Sequence, residues 1–226
     1  MTNSPLFSIL IPTLGERRAQ FLRIYETLRA QIETAQLQND VEILALCDNR
    51  EQSLGAKRNL LLQRARGEFV AFVDDDDAVA ENYVTLICEA LARHSEIDCL
   101  GFTGLVYFRG AQPHRFVHSL RYDHYFSKGG VYYRPPYILN PIRRALARQI
   151  TFANISFNED QDWAMRLARA KLLRTECLLQ DILYHYYSRR RYAVQWAIDV
   201  TEPLRHPLGL QLVNRLRVVR WLQGNR

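Results

Sequence analysis

Four consecutive carboxylates, Asp74 to Asp77, follow the apolar run Phe69-Val70-Ala71-Phe72-Val73. Like charges this close repel, so a folded chain keeps them together only where water, a helix N-terminus or a cation offsets the repulsion. A divalent cation shared with a diphosphate meets that need. Mg²⁺ and Mn²⁺ favour hard oxygen ligands, one or two from protein and the rest from phosphate and water. An acidic helix N-cap is the plainer reading, since aspartate is favoured just before a helix that would start near Val79. One or two aspartates satisfy a cap, and four after an apolar strand exceed it. A phosphatase-type Asp-x-Asp-Gly fits less well, because Ala78 stands where glycine is expected.

The elements that must carry this cluster are readable from hydrophobic spacing. Phe7-Ser8-Ile9-Leu10-Ile11, halted by Pro12 and followed by Thr13 and Gly15, reads as a buried strand ending in a turn. Phe21, Ile24, Tyr25, Leu28 and Ile32 recur at helical spacing between about Arg18 and Gln36. Val41 to Leu46 is a second strand, ending at Cys47-Asp48-Asn49, and Leu54 to Arg66 a second helix, with Gly67 placed to close it. Phe69 to Val73 is the third strand. Such an alternation predicts an α/β domain, a parallel sheet with right-handed crossovers that binds ligands at the carboxyl ends of its strands. Thr13, Asp48 and Asp74 to Asp77 then converge on one sheet edge. Neither a GxGxxG nor a GxxxxGK[ST] string occurs, so neither the dinucleotide nor the P-loop fingerprint supports the site.

Further along, Asn82 to Arg93 reads as a helix, Cys99 to Phe108 as a strand, and Asp162 to Leu173 as another helix through Trp163, Met165, Leu167 and Ala168. Between Gly110 and Pro141 the chain is rich in Tyr, His, Arg and Pro, an irregular segment suited to an acceptor-side lid. Composition agrees with a folded enzyme-sized domain: 48% of the 226 residues are hydrophobic and 24% charged, which excludes disorder and collagen-like repeats. The N-terminus lacks the basic region and long apolar run of a secretory signal, and no stretch is apolar enough to span a bilayer, so a cytoplasmic location is expected. Cys47, Cys88, Cys99 and Cys177 form no C-x-x-C pair and read as small core residues.

The segments SILIPT, LGAKRNLLLQRARGEFVAFVDDDD and FNEDQDWAMRLAR, in this order and spacing, resemble family 2 glycosyltransferases of the GT-A fold over about residues 6–187. The resemblance implies a Rossmann-like, mostly parallel sheet flanked by helices, with a nucleotide-sugar half at 1–110 and an acceptor-side half at 111–187; residues 188–226, which it does not reach, read as a basic helical extension. It implies an inverting, metal-dependent transfer from a nucleotide-diphospho-sugar, with UDP as the expected nucleotide and Mn²⁺ or Mg²⁺ as the ion. By the same resemblance Asp76 ligates the metal, and Asp74 and Asp75 lie on the ribose and phosphate side. Pro12 and Thr13 match the residues closing the first strand and Asp48 the acid after the second, all placed to hold base or ribose. Lys57 and Arg58 occupy the family's basic position on the second helix. Glu159-Asp160 matches its Glu-Asp motif, with Asp160 as general base and Glu159 orienting it or the acceptor. Local sequence alone allows these two acids to be ordinary helix-capping residues. His185, in Leu183-Tyr184-His185-Tyr186-Tyr187, matches a late histidine that ligates the metal in several relatives, although a histidine among aromatics also packs or hydrogen-bonds within a core.

The formal charge of +6 lies wholly in the last quarter: residues 1–170 carry 20 Lys/Arg and 20 Asp/Glu, and residues 171–226 carry 10 and 4. Arg189-Arg190-Arg191 and the stretch Leu208 to Leu222, with Arg215, Arg217 and Arg220 around an apolar stripe, read as a basic amphipathic helix. Packing or homodimerisation is the first reading of this tail, with an anionic membrane surface or nucleic acid as the alternatives. The acceptor hydroxyl stays open among a saccharide, a lipid-linked glycan and a hydroxymethylated DNA base. The rival functions are a nucleic-acid-binding module with a vestigial sugar-nucleotide site, and a nucleotidyltransferase, whose usual glycine-rich loop after the first strand is missing.

Overall fold

A computed structural model of the chain describes residues 4–108 and 112–188. The basic tail, with its expected helix and its membrane, nucleic-acid or dimer contacts, lies outside the described residues.

The first half follows the expected alternation. Strand β1 (Phe7–Leu14) is buried almost throughout, as a central strand covered on both faces must be. Helix α1 (Arg18–Thr34) turns Ile24, Leu28 and Ile32 inward on one stripe. Strand β2 (Val41–Asp48) pairs parallel to β1 with Leu14 opposite Asp48, and β3 (Phe69–Phe72) pairs parallel on the other side with Leu10 opposite Phe72. Helix α2 (Leu54–Arg64) connects β2 to β3 and is capped by Ser53, whose Oγ accepts from Ala56 N at 3.1 Å. Gly67 is no left-handed helix stop. A Cβ there would come within 2.5 Å of Ser8 Oγ, so the residue is held to glycine by the close approach of the loop to β1.

Beyond β3 come β4 (Ala78–Val79), α3 (Tyr83–Arg93) and β5 (Cys99–Phe108). The segment expected to be irregular instead contributes β6 (His114–His118), β7 (Phe126–Lys128) and β8 (Val131–Arg134) to the sheet. β6 pairs antiparallel with β5 and parallel with β8, so distant partners define strands where local pattern is weak. Then follow β9 (Ile142–Arg143), α4 (Arg144–Ala147), α5 (Glu159–Ala170) and β10 (Glu176–Ser188). The mixed sheet, mostly parallel by length of pairing, runs β2-β1-β3-β9-β5-β6-β8-β7, with β10 on β5 and β4. Cys88 and Cys99 are buried as expected, but Cys47 is exposed: β2 is an edge strand, and Ala45 and Cys47 share its uncovered face. No helix among the described residues is long and apolar enough to cross a membrane.

Candidate active site

Two structural devices bring the acidic segments together. The first is the docking of α2 onto the loop before α5. Gly55 N donates to Ile155 O at 3.0 Å and Leu54 N to Ser156 Oγ at 3.2 Å, and a Cβ on Gly55 would collide with the Ala153 carbonyl. The second is a run of aromatic contacts. Phe72, at the end of β3, meets Phe152 edge-on at 5.5 Å, and Phe152 stacks at 5.0 Å on Trp163 of α5, whose Nε1 donates to Ile150 O at 2.7 Å. The end of β3 and the start of α5 are thereby fixed relative to one another.

Between them lies a cleft of about 460 Å³, lined by Pro12, Arg17, Arg58, Asp74 to Asp77, Glu159 and Asp160, with His118, Arg134 and Tyr137 on its far wall. The four aspartates have unlike surroundings. Asp75 is buried; Thr13 Oγ1 donates to its Oδ2 at 2.7 Å and Arg17 to its Oδ1 at 2.8 Å. Asp76 stays partly exposed, with Arg17 at 3.4 Å. Asp74 accepts from Arg58 at 2.9 Å. Asp77 is buried and accepts from Tyr184 OH at 2.8 Å and Tyr187 N at 2.9 Å. Burial, then the Asp74 charge, pushes the Asp77 carboxyl well above the usual carboxylate range.

Arg58 spans the site. Only 1% exposed, it reaches Asp74 with Nη2 and Glu159 Oε1 with Nε at 3.2 Å, and its guanidinium lies 4.9 Å from the Phe72 ring centre. Burial opposes its charge, but Asp74, Glu159 and Asp160 overcome that and hold it protonated. Burial raises the Glu159 carboxyl, with Arg58 pulling the other way. Asp160, beside it at the start of α5, accepts from Tyr137 OH through Oδ2 and from Gln161 N at 2.7 Å through Oδ1.

A third group adjoins the cleft at the ends of β1 and β2. Lys57 Nζ donates to Thr13 O at 2.9 Å and to Asp48 Oδ1 at 2.6 Å. Burial raises the Asp48 carboxyl, yet Lys57 and the amides of Gln52 and Arg50 outweigh it and bring it below its ordinary value. His185 pairs with Ala78, next to Asp77, on the β10–β4 ladder; its Nδ1 lies 3.1 Å from Tyr107 OH, and it is not itself among the cleft-lining residues. Sequence reasoning missed Arg17, Tyr137 and Tyr184, the partners of Asp75, Asp160 and Asp77. Each meets its acid across a long stretch of chain, and only the position of Arg17 just past β1 carried a local signal.

A sheet edge that gathers acids and bases at the carboxyl ends of parallel strands, with a second acidic pair facing them from a helix, is the arrangement of a GT-A-type domain. The model of the family described as glycosyl transferase family 2 matches residues 34–171, and the chain belongs to that family. Among solved structures, S. aureus TarS 1-349 in complex with UDP-GlcNAc superposes with a TM-score of 0.56 at 18% identity, covering 94% of this chain and 65% of that one. The same TarS fragment in complex with UDP gives 0.55 at 18% identity over 80% and 60% of the two chains, and TarS itself 0.53 over 80% and 36%. The chain thus spans less than two thirds of the length of these structures, and the likeness is one of fold. No curated protein sequence matches the chain significantly.

Proposed function

We propose that the protein transfers a sugar from a nucleoside-diphosphate sugar, UDP-linked, to an acceptor hydroxyl with inversion at the anomeric carbon. The observation that carries the reading is Arg58, which binds Asp74 on one wall and Glu159 on the other, so that both acidic motifs work in one cleft. Family membership supports the activity, and the UDP-GlcNAc and UDP held by structures of the same fold support the nucleotide.

In this reading Asp160 takes the proton of the acceptor hydroxyl as its oxygen bonds to the anomeric carbon. The bond from that carbon to the diphosphate oxygen breaks on the opposite side, and UDP departs. Tyr137 and the Gln161 amide fix the direction of the Asp160 carboxylate, while Glu159 and Arg58 hold the start of α5 in place. Pro12, Thr13, Asp48 and Lys57 form the base and ribose side, and Asp74 and Asp75 the phosphate side. Mn²⁺ or Mg²⁺ fits at Asp76: one partly exposed carboxylate on the cleft suits an ion that takes most of its ligands from diphosphate and water, and no group of three or more His, Cys, Asp or Glu that could cage a metal occurs among the described residues. When bound, the ion would offset charge gathering on the departing diphosphate. Asp76 is the first ligand in this reading; His185, whose Nδ1 meets Tyr107 OH, would reach the ion only through Nε2.

The test combines binding with UDP release. UDP-GlcNAc or another UDP-sugar with Mn²⁺ should raise the unfolding temperature, by about RT ln(1 + [L]/Kd) in free energy. Asp160→Asn should keep that shift and lose at least about 100-fold in UDP release. Release within about tenfold of wild type, roughly 1.4 kcal/mol of barrier, removes Asp160 as the base.

A further inference from the structure

The far wall of the cleft holds a buried histidine that the transfer mechanism leaves unused. His118, on β6, is 1% exposed and lines the cleft beside Arg134 and Tyr137. Its Nδ1 lies 3.0 Å from Asn140 Oδ1. The orientation of the Asn140 amide is fixed twice over: Nδ2 donates to Leu100 O at 2.8 Å, and Oδ1 accepts from Tyr137 N at 2.8 Å. An amide oxygen cannot donate, so the proton between the two side chains sits on His118 Nδ1. Burial, and then the Arg134 charge, keep the ring neutral. His118 Nε2 is therefore a bare lone pair, and it has no hydrogen-bond partner among the described residues. Leaving a buried acceptor unpaired is costly, and native proteins rarely do so. The same cleft carries a second such atom of opposite character, Arg58 Nη1, a buried donor without a partner.

We propose that His118 Nε2 accepts a hydrogen bond from a hydroxyl of the transferred sugar, making His118 a specificity-determining residue for the donor. A sugar hydroxyl both donates and accepts, so a ring presenting several of them suits a cleft with a bare acceptor in His118 and a bare donor in Arg58. Burial separates the two substrates. The buried part of the cleft, with His118 1% exposed, suits a group carried in on an anchored nucleotide, whereas Phe157, 59% exposed, and Tyr187, 44% exposed, leave its open part to the acceptor. The inference rests on the proposed sugar-nucleotide activity.

The experiment measures Kd for UDP, UDP-glucose, UDP-galactose and UDP-GlcNAc by calorimetry on the full chain with Mn²⁺, in wild type, His118→Asn and His118→Gln. The Asn amide can replace the Nδ1–H donor to Asn140 but does not extend to the Nε2 position. The Gln amide reaches that position and can still accept. The UDP-sugar that wild type binds more tightly than UDP should lose about tenfold in His118→Asn, should largely recover in His118→Gln, and UDP itself should bind all three proteins alike. A sugar-to-UDP affinity ratio unchanged in His118→Asn overturns the inference, as does a wild type that gains nothing from any of the sugars. Equal loss of UDP and UDP-sugar in His118→Asn also overturns it, marking His118 as structural. A wild type that binds no UDP overturns the sugar-nucleotide reading itself, a distinct failure.

Discussion

Replacing Arg58 with Met preserves an unbranched stem of similar reach while deleting the guanidinium. Two carboxylates lose their ionic partner: Asp74, which water can partly reach, and Glu159, which is 2% exposed and has little else to offset its charge. Removing one member of a buried ion pair costs about 3–5 kcal/mol, chiefly because the other charge stays buried. The cost should depend on pH. Burial already lifts the Glu159 carboxyl above its ordinary value of 4.5, and Arg58 is the main opposing influence. Without Arg58 the folded value climbs further above the unfolded one. A carboxyl raised in this way leaves stability intact below pH 4.5 and lowers it as pH climbs through the folded value. Urea unfolding of Arg58→Met should therefore show a smaller deficit at pH 5 than at pH 7.5, with an unchanged slope against denaturant. Adding Glu159→Gln should return about 0.5–3 kcal/mol at pH 7.5, the coupling expected of contacting residues. A deficit below about 1 kcal/mol, or one equal at the two pH values, would refute the view that Arg58 neutralises the cleft's inner wall.

Tyr137→Phe removes the hydroxyl that donates to Asp160 while leaving the ring in place; UDP release should fall about tenfold and donor Kd should hold, measured by coupled assay and calorimetry. Gly55→Ala, which in an open helix gains up to about 1 kcal/mol, should instead cost about 1–3 kcal/mol in urea unfolding, because the new methyl collides with the Ala153 carbonyl and separates α2 from the loop before α5. His118, its folded value depressed by burial and Arg134, favours folding while neutral, so its contribution is complete above about pH 6.5 and is lost as pH falls toward the folded value. Urea midpoints between pH 7.5 and 5.5 should accordingly fall more steeply in wild type than in His118→Asn.

How much of this was legible in the sequence follows from where each contact's partner lies. β1, α1, β2, α2 and β3 announce themselves because each is defined by its own apolar pattern, a continuous run for a strand covered on both faces and a 3.6-residue stripe for a helix. The acids at the strand ends were legible for the same reason. The segment around β6 to β8 was not, since its strands depend on pairing with β5 and with each other. The partners of the acids are further still from their own signals: Arg17 meets Asp75 across 58 residues, and Tyr184 meets Asp77 across 107. Nothing in a local window distinguishes Tyr137 from the other tyrosines around it. Its place beside Asp160 comes from the Asn140 amide, which accepts from the Tyr137 backbone and secures that turn to β5 through Leu100.

The same partners explain how four adjacent carboxylates survive in a folded chain. Asp75 is neutralised by Arg17 and hydrogen-bonded by Thr13, Asp74 is matched by Arg58, and Asp77 is held by a tyrosine hydroxyl and a backbone amide, where burial favours its uncharged form. These offsets are built into the protein. Asp76 combines partial exposure with a place on the cleft wall, and the nearby Arg17 divides its charge between Asp75 and Asp76. Repulsion within the cluster is therefore handled by folding, which frees the proposed cation to serve the diphosphate. The charges that would otherwise drive the two walls apart are tied across the cleft by Arg58, so the protein itself holds the two acidic motifs together.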